Sequence, residues 1–359
     1  MRANPIFYSQ QGLRFLHLAA VVFPASPALY LRLGIVLIAN RQWEGLHYLH
    51  RANQLASPVA PIQQALYLAY RDVEQPEVAN YWLKNARDSH QQAPQDIGWK
   101  WGSLSYEAGF TYVPFESDML LAVLPSFHSI VTTAILAAGD WFEAEIEFWR
   151  NWIQPGAIAI DVGANVGVYT FSAAQQVGKT GKVFAIEPFS ECVCCLQESC
   201  RINEINWVEV RAGAASDRIG TARLSLKSSS ELNELLLDTA VAAEGTFEEV
   251  SCFTLDSLIE EANLDRVDIL KIDAEGHELA VLRGSDRLLS EFAPVILYEN
   301  IAAGSGSNLA VAKYLREKGY QLFRYQPYVQ QLVPIESDDE LAGNLNAIAL
   351  PPNYQNRDV

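Results

Sequence analysis

A dense group of ionisable side chains lies in the segment 271–278, which reads Lys-Ile-Asp-Ala-Glu-Gly-His-Glu. The apolar residues before it predict a strand ending near Asp273, which would place these side chains at the mouth of a cleft. A carboxylate or an imidazole in that position can take a proton from an attacking hydroxyl group. Asp273, Glu275 and His277 are therefore the candidate catalytic residues, and Asp273 is also the first candidate for contact with cofactor or substrate.

A second candidate site is the turn 161–167, Asp-Val-Gly-Ala-Asn-Val-Gly, which follows a short apolar segment. Dinucleotide-binding enzymes have G-x-G-x-x-G here, and the second glycine clears space for a pyrophosphate. Asn165 stands at that place, which argues against a dinucleotide and for a ligand without a pyrophosphate. S-adenosylmethionine is such a ligand, because its cationic groups tolerate Asp161 and the first amides of a helix can face its carboxylate. The alternative is a turn whose glycines serve geometry alone.

Glu187 ends the second predicted strand, 24 positions after Gly163. An acidic side chain at this point can accept hydrogen bonds from both hydroxyls of a ribose. The alternative for a single glutamate at a strand end is a surface charge. Together with the turn 161–167, Glu187 predicts a site for an adenosyl group.

The elements that must position these residues alternate between strands and helices from residue 151 onward. The predicted strands are 157–162, 182–186, 207–211, 267–272, 294–298, 321–325 and 346–350. The predicted helices between them are 167–177, 191–203, 277–289 and 308–318. This order predicts a doubly wound α/β domain over 151–359, with its ligand beyond the carboxyl ends of the strands.

The first hundred residues predict an all-α domain. Apolar residues at three and four spacing indicate helices over 28–95, with breaks at 57–58 and 75–76. A shift of 34 residues superposes Ala52 on Ala86 and Tyr48 on Trp82, a period that resembles tetratricopeptide repeats. Such helix pairs leave a concave surface for a protein partner, although the alternative is a domain that only packs. The predicted domains are therefore 1–105 (helical), 106–150 (connector and cap helix) and 151–359 (catalytic).

Within the connector, the residues 110–115 predict an extended segment and the residues near 142–152 an acidic amphipathic helix. In the catalytic half, the stretch 228–248 is Ser-rich and then acidic and Ala-rich. It predicts a mobile lid or an insertion where substrate selectivity could reside.

Charge and cysteine content restrict the partners and the compartment. The 359 residues are half apolar and carry a net charge of −17, so we expect a folded globular protein and no nucleic-acid partner. Residues 151–359 hold 30 of the 43 acidic side chains, an asymmetry that favours two domains. The odd number of cysteines, five, is a poor disulfide framework and favours the reducing cytoplasm. The apolar run 15–39 is interrupted by His17, Pro24, Pro27 and Arg32, so no membrane span is expected.

The catalytic half resembles the FkbM family of S-adenosylmethionine-dependent methyltransferases. The resemblance covers about residues 140–350 and is carried by the motifs 160–167 with Tyr169 and Thr170, Glu187-Pro188, Asn203, 215–217, 254–256, 271–278, Gly284, Glu299 and Gly319-Tyr320. It implies a class I methyltransferase fold, Rossmann-like with a seven-stranded sheet, and O-methylation of a hydroxyl on a sugar, glycan or secondary metabolite.

By the same resemblance, Gly163, Asn165 and Gly167 line the methionine end of the cofactor, together with Asp161. Glu187 binds the ribose. The loop 214–217, with Asp217, lies near the adenine.

A metal site is a further expectation for this half. Asp273 ends one predicted strand and Glu299-Asn300 ends the next, an arrangement similar to that which holds magnesium in catechol-type O-methyltransferases. Three hard oxygen ligands would suit Mg²⁺, which lowers the pKa of a bound hydroxyl. The alternative is that Glu299 and Asn300 bind substrate or cap a loop. Lys271 and Glu278 each have a structural role as the alternative to a direct role in the site. Lys271 would be an ion-pair partner, and Glu278 would be an acid in the first turn of a helix, where it complements the helix dipole.

Two other functions compete with methyl transfer. One is an interaction protein whose helical repeats recruit a partner and whose methyltransferase half is vestigial. The intact Asp161, Glu187 and Asp273 count against it. The other is a nicotinamide-dependent oxidoreductase, which Asn165 disfavours.

Overall fold

A computed structural model describes residues 10–92, 104–116, 119–227, 230–236, 246–301 and 306–352. The chain divides into two compact units between Phe142 and Glu143. This division lies inside the segment 106–150, which the sequence predicts to be a connector.

The N-terminal unit begins with five helices. They are α1 (Gln10–Val22), α2 (Pro27–Ala39), α3 (Gly45–Leu55), α4 (Ala60–Asp72) and α5 (Pro76–Gln92). The predicted breaks at 57–58 and 75–76 are confirmed, but the sequence missed a third break between α2 and α3. There the Asn40 side chain donates to the carbonyl of Val36 and Arg41 takes a φ of 58°, which ends the helix. The relation of these helices to tetratricopeptide repeats stays a prediction.

Close packing joins α2 to α3. A Cβ on Gly45 would lie 2.6 Å from the backbone carbonyl oxygen of Gly34, so only glycine allows this approach. An antiparallel strand pair and one more helix complete the unit: β1 (Thr111–Phe115), β2 (Met119–Val123) and α6 (Ile130–Ala138). The predicted extended segment 110–115 is confirmed as β1, whereas β2 and α6 were not predicted from the sequence.

The C-terminal unit contains an eight-stranded sheet. Its strands are β3 (Ile158–Val162), β4 (Lys182–Glu187), β5 (Val208–Ala212), β10 (Ile269–Ile272), β11 (Val295–Glu299), β12 (Gln321–Gln326), β13 (Gln331–Pro334) and β14 (Asn346–Leu350). The order across the sheet is β13-β12-β14-β11-β10-β3-β4-β5. All seven predicted strands are confirmed to within two residues, and β13 extends the sheet by one antiparallel strand. This is the mixed α/β architecture that the resemblance implies.

The central strands are parallel, which sets the location of the site. Strands β5, β4, β3, β10 and β11 run in the same direction, so their carboxyl ends meet at one edge. Strand β14 runs antiparallel to β11, and its first residue, Asn346, therefore reaches the same edge beside Glu299. Every residue of β10 is buried, as expected for a strand covered on both faces.

Helices flank this sheet. They are α7 (Glu145–Trp152), α8 (Val168–Val177), α9 (Ser190–Ile202), α10 (Leu255–Glu261), α11 (Glu278–Arg283) and α12 (Leu309–Glu317). The predicted helix 277–289 is interrupted at Gly284 and Ser285: α11 ends at Arg283, and a π-helical segment follows over Leu288–Phe292. A Cβ on Gly284 would lie 2.0 Å from the carbonyl oxygen of Ser216, so the chain passes too close to another segment for a larger residue.

A second sheet of four strands was not predicted from the sequence. Its strands are β6 (Ala214–Ala215), β7 (Gly220–Ser225), β8 (Glu234–Leu236) and β9 (Phe247–Phe253), in the order β6-β9-β7-β8. The alternation in β7 is weak, because only Ala222 and Leu224 of its six residues are buried. The predicted lid 228–248 lies partly outside the described residues, and its described part contributes β8 and the start of β9 to this sheet.

No helix in the described part of the chain is long and apolar enough to cross a membrane. The five cysteines are free thiols, and Cys192, Cys195 and Cys252 are buried.

Candidate active site at the carboxyl ends of the strands

The backbone conformation of the turn after β3 explains why it contains two glycines and an asparagine. Gly163, Asn165 and Gly167 all have positive φ angles, of 73°, 49° and 102°. A Cβ on Gly163 would lie 1.8 Å from the carbonyl oxygen of Asp273, and one on Gly167 would lie 2.5 Å from the ring of Phe171. Asparagine tolerates the left-handed region better than most residues, so this turn keeps a polar side chain at its centre.

Glu187 joins this turn to the end of β4. Its Oε2 accepts a hydrogen bond from the backbone N–H of Asn165 at 2.8 Å, and its Oε1 accepts one from Phe189 at 2.9 Å. Burial raises the pKa of Glu187 to about 7, although both hydrogen bonds act to lower it. Each carboxylate oxygen retains acceptor capacity for a further donor. The two predicted cofactor-binding elements are thus brought together.

Asp161 and Lys271 form a buried charged pair on neighbouring strands. Lys271 Nζ lies 3.8 Å from Asp161 Oδ1, 3.0 Å from Asp273 Oδ2 and 4.7 Å from the ring centroid of Tyr169. Burial acts to lower the pKa of Lys271, but Asp273 and Asp161 raise it above its usual value. The hydroxyl of Thr170 donates to Asp161 at 2.7 Å. Asp161 is fully buried, and its side chain contacts both Lys271 and Thr170.

The segment after β10 forms a tight, internally bonded loop. Glu275 and Gly276 both have positive φ angles. Oε1 of Glu278 accepts from the backbone N–H groups of Ala274 and Gly276, at 3.1 and 2.9 Å. Its Oε2 accepts from the Asn308 side chain at 3.0 Å. Glu278 therefore fixes the loop that carries the candidate catalytic residues.

The three candidate catalytic residues have different surroundings. The side chain of Asp273 is 35% exposed and is held by Lys271. His277 lies with Nε2 2.9 Å from the hydroxyl of Ser216, and burial lowers its pKa. Asp217, the candidate adenine contact, is exposed beside Ser216. The structure thus connects His277 to the loop 214–217, a pairing that sequence separation hides.

An acidic group converges beside Asp273. One carboxylate oxygen from each of Asp273, Glu275 and Glu299 lies within 4.8 Å of the others. Glu299 is 8% exposed, and its Oε2 is buried without a hydrogen-bond partner. Burial, followed by the charges of Asp273 and Glu275, raises the pKa of Glu299 well above its usual range.

Asn300, predicted as the third metal ligand, has another role in the structure. Its amide nitrogen donates to the carbonyl groups of Leu341 and Asn344, at 2.9 and 2.8 Å. Its Oδ1 accepts from the backbone N–H of Asn308 at 3.2 Å. The amide therefore fastens two loops together.

Sequence reasoning missed a second acidic set at this edge. Oε2 of Glu143 accepts from the Tyr169 hydroxyl at 2.7 Å and from the Asn346 amide at 3.2 Å. The same amide lies 3.4 Å from Glu145, whose pKa burial raises to about 7. The available signals were the acidic first turn of α7 and the asparagine that begins β14.

Comparisons with known proteins found methyltransferases. An FkbM methyltransferase structure from Methylobacillus flagellatus is 16% identical, with a TM-score of 0.37, and covers 62% of this chain. The chain spans about half of that protein, 53% of its length. An O-methyltransferase structure from Bacillus cereus, in complex with SAH, is 16% identical with a TM-score of 0.36, covering 60% of this chain and 83% of that one.

Methyltransferase sdnD from Sordaria araneosa is 26% identical over 193 residues, which make up 46% of this chain and 74% of the relative. The family model of the methyltransferase FkbM domain matches residues 161–322, from Asp161 at the first turn to the strand β12. Over these residues the chain is similar to the FkbM family of S-adenosylmethionine-dependent methyltransferases.

Proposed function

We propose that this protein transfers the methyl group of S-adenosylmethionine to a hydroxyl oxygen of a small molecule or glycan, such as a sugar or a secondary metabolite. The observation that carries the proposal is the hydrogen bond from the backbone of Asn165 to Glu187. It unites the glycine turn and the strand-end acid in one site at the sheet edge where ligands of such folds bind.

The cofactor is proposed to lie across the ends of β3 and β4. Its methionine end lies over Gly163, Asn165 and Gly167, where the open amides at the start of α8 face the carboxylate. Glu187 accepts hydrogen bonds from the ribose hydroxyls. Asp217 borders the adenine from the loop after β5. Asp161 supports this arrangement from below by holding Lys271.

Methyl transfer is an in-line displacement at carbon. A lone pair of the acceptor oxygen forms the new C–O bond while the C–S bond breaks, and its electron pair stays on sulfur as S-adenosylhomocysteine leaves. The acceptor hydroxyl must lose its proton, and a nearby base accelerates the step. Asp273 is proposed for this role because it is partly exposed and held by Lys271, with Glu275 and His277 as the alternatives.

The compartment proposed is the cytoplasm. The free thiols of Cys192, Cys195 and Cys252 are buried in the methyltransferase unit, and a reducing compartment keeps such thiols reduced.

A protein partner is proposed for the N-terminal helices. Fractionation of cells that express the full chain tests the first proposal, and capture that depends on residues 1–105 tests the second.

Isothermal titration with S-adenosylmethionine and S-adenosylhomocysteine tests the cofactor. We expect saturable binding of both compounds to the full chain. A screen of hydroxylated sugars and metabolites with a radiolabelled methyl group then tests the acceptor, with label expected on oxygen. Absence of binding of either compound contradicts the proposal, and label found only on amines contradicts its oxygen specificity.

A further inference from the structure

Three carboxylates from separate positions of the fold converge at one point of the candidate site. Asp273 follows β10, Glu275 lies in the loop behind it, and Glu299 ends the adjacent parallel strand β11. One oxygen from each lies within 4.8 Å of the other two. Because the pairing of β10 with β11 sets the positions of Asp273 and Glu299, their approach is built into the sheet.

The third member is held in place by its own loop. Glu275 has a φ of 47°, a conformation that requires support from its surroundings. Glu278 supplies it by accepting hydrogen bonds from the N–H groups of Ala274 and Gly276, on either side of Glu275. The loop therefore keeps a carboxylate beside two others, an arrangement in which like charges repel.

Glu299 gives a second, independent indication of a missing partner. Its side chain is only 8% exposed, and its Oε2 is buried without any hydrogen-bond donor. A buried carboxylate oxygen without a donor is unfavourable by more than a neutral group would be. The same carboxylate contributes one of its oxygens to the group formed with Asp273 and Glu275.

The ammonium group of Lys271 does not supply the hydrogen bond that Oε2 of Glu299 lacks. Lys271 Nζ lies 3.0 Å from Asp273 Oδ2 and 3.8 Å from Asp161 Oδ1, so it stands between these two carboxylates. It is not hydrogen-bonded to the buried Oε2 of Glu299. One ammonium group thus faces several carboxylates, and the space beside Glu299 favours a further positive charge.

We propose that Asp273, Glu275 and Glu299 bind one hard divalent cation, Mg²⁺ or Mn²⁺. Such ions take carboxylate oxygens at roughly 2.1 Å, so two ligands on opposite sides of one ion stand about 4.2 Å apart. The three oxygens lie within 4.8 Å of one another, so at most a small closing movement brings them to this distance. Asn300 is excluded from this ligand set because its amide joins Leu341, Asn344 and Asn308.

The catalytic use of the ion rests on the proposed methyl transfer. Three protein ligands leave coordination positions for water and for an acceptor oxygen. A hydroxyl group bound there loses its proton more readily and is oriented for attack. Binding of the ion itself requires neither cofactor nor acceptor, so the two proposals can be tested separately.

Titration of the full chain with Mn²⁺, followed by the electron paramagnetic resonance signal of the free ion, tests the site directly. We expect one saturable site per chain in the absence of cofactor, with competition by Mg²⁺. Glu299→Gln and Glu275→Gln each remove one anionic ligand and should weaken Mn²⁺ binding by about tenfold or more. Glu317→Gln, an exposed acid of α12, makes the same charge change elsewhere and should leave binding unchanged.

Folding of each variant is checked by circular dichroism, and cofactor binding by titration with S-adenosylhomocysteine. Glu275 is half-buried and on a loop, so its variant provides a test even where Glu299→Gln does not fold. Absence of a saturable Mn²⁺ site in the wild-type chain overturns the proposal, as does undiminished binding in folded Glu275→Gln. If S-adenosylhomocysteine binds and Mn²⁺ does not, the metal site is contradicted and the methyltransferase proposal stands. If Mn²⁺ binds and S-adenosylhomocysteine does not, the metal site stands and the methyltransferase proposal is contradicted.

Discussion

Burial and hydrogen bonding shift the pKa of Glu187 in opposite directions. Burial raises its pKa to about 7, while the N–H groups of Phe189 and Asn165 favour the carboxylate. A ribose that donates two hydroxyl groups also favours the carboxylate, because a protonated carboxyl accepts less well. Cofactor binding and deprotonation of Glu187 are therefore linked.

We predict that the affinity for S-adenosylhomocysteine falls as the pH falls below about 7, by up to about tenfold per pH unit, and is level above it. Titration calorimetry between pH 6 and pH 8.5 measures this dependence, at roughly the range where such a group titrates. Glu187→Gln cannot ionise, so its binding should be weaker at high pH and should lose this pH dependence. An equal dependence in wild type and variant would remove Glu187 from the ribose site.

Asp273 carries the next prediction. Asp273→Asn keeps an oxygen that can accept from Lys271, so the fold and the affinity for S-adenosylhomocysteine should change little. The amide cannot take a proton, and we expect kcat to fall by about 10²- to 10⁴-fold. Transfer of labelled methyl, measured together with calorimetry, checks both parts. Normal turnover in the folded variant would assign proton removal to Glu275 or His277.

Strand-end residues show what the sequence can and cannot predict at this scale. An apolar run that ends in Asp273 or Glu299 predicts an acid at the edge of the sheet. It does not tell how the following side chain is used. Asn300 directly follows Glu299, yet its amide joins distant loops near Leu341 and Asn344, and these contacts depend on tertiary structure. The position of Glu275 beside Glu299 likewise depends on a loop conformation with positive φ.

At the scale of elements, the first turn depends on the contact between β3 and the end of β10. A Cβ on Gly163 would lie 1.8 Å from the carbonyl oxygen of Asp273, and its φ is 73°. The short distance and the positive φ both make any side chain at this position energetically unfavourable. Gly178, at the end of α8, has a similar φ of 62° but nothing within 4 Å of its Cβ position. The two glycines separate the effect of close packing from that of backbone conformation.

We expect Gly163→Ala to lower the free energy of unfolding by on the order of 3 kcal/mol, because backbone strain and steric overlap add. Gly178→Ala, at φ 62° and ψ −170°, should lower it by less, on the order of 1–2 kcal/mol, since strain acts alone. Urea unfolding monitored by circular dichroism measures both values. Equal effects of the two substitutions would mean that the turn can move away from Asp273.

Elements with strong apolar patterns were predicted well, and weak ones were not. The parallel strands are buried on both faces, and this burial requires apolar runs that are visible in the sequence. Strand β7 buries only Ala222 and Leu224, and β6 has two residues, so neither gives a clear pattern. The break after α11 was not predicted, because the close approach of Gly284 to Ser216 is a tertiary contact.

At the scale of the whole molecule, the uneven charge indicated two parts, and the structure divides between Phe142 and Glu143. The family match over 161–322 lies entirely in the second unit, as does the candidate site. A ligand that binds only the native state of one unit stabilises that unit according to its concentration. S-adenosylhomocysteine is therefore expected to act on the unfolding of residues 143–359.

Differential scanning calorimetry of the full chain measures this effect. At a concentration of about 100 times its Kd, the ligand adds roughly 2.7 kcal/mol of stability, which corresponds to a rise in Tm of about 5–10 °C for a unit of this size. Gly163→Ala identifies the transition of the methyltransferase unit, because it lowers the Tm of that transition. We expect S-adenosylhomocysteine to raise the same transition in the wild-type chain, and to raise it less in Glu187→Gln. A ligand-induced rise in a transition that Gly163→Ala leaves unchanged would place the cofactor outside the site formed by Gly163 and Glu187.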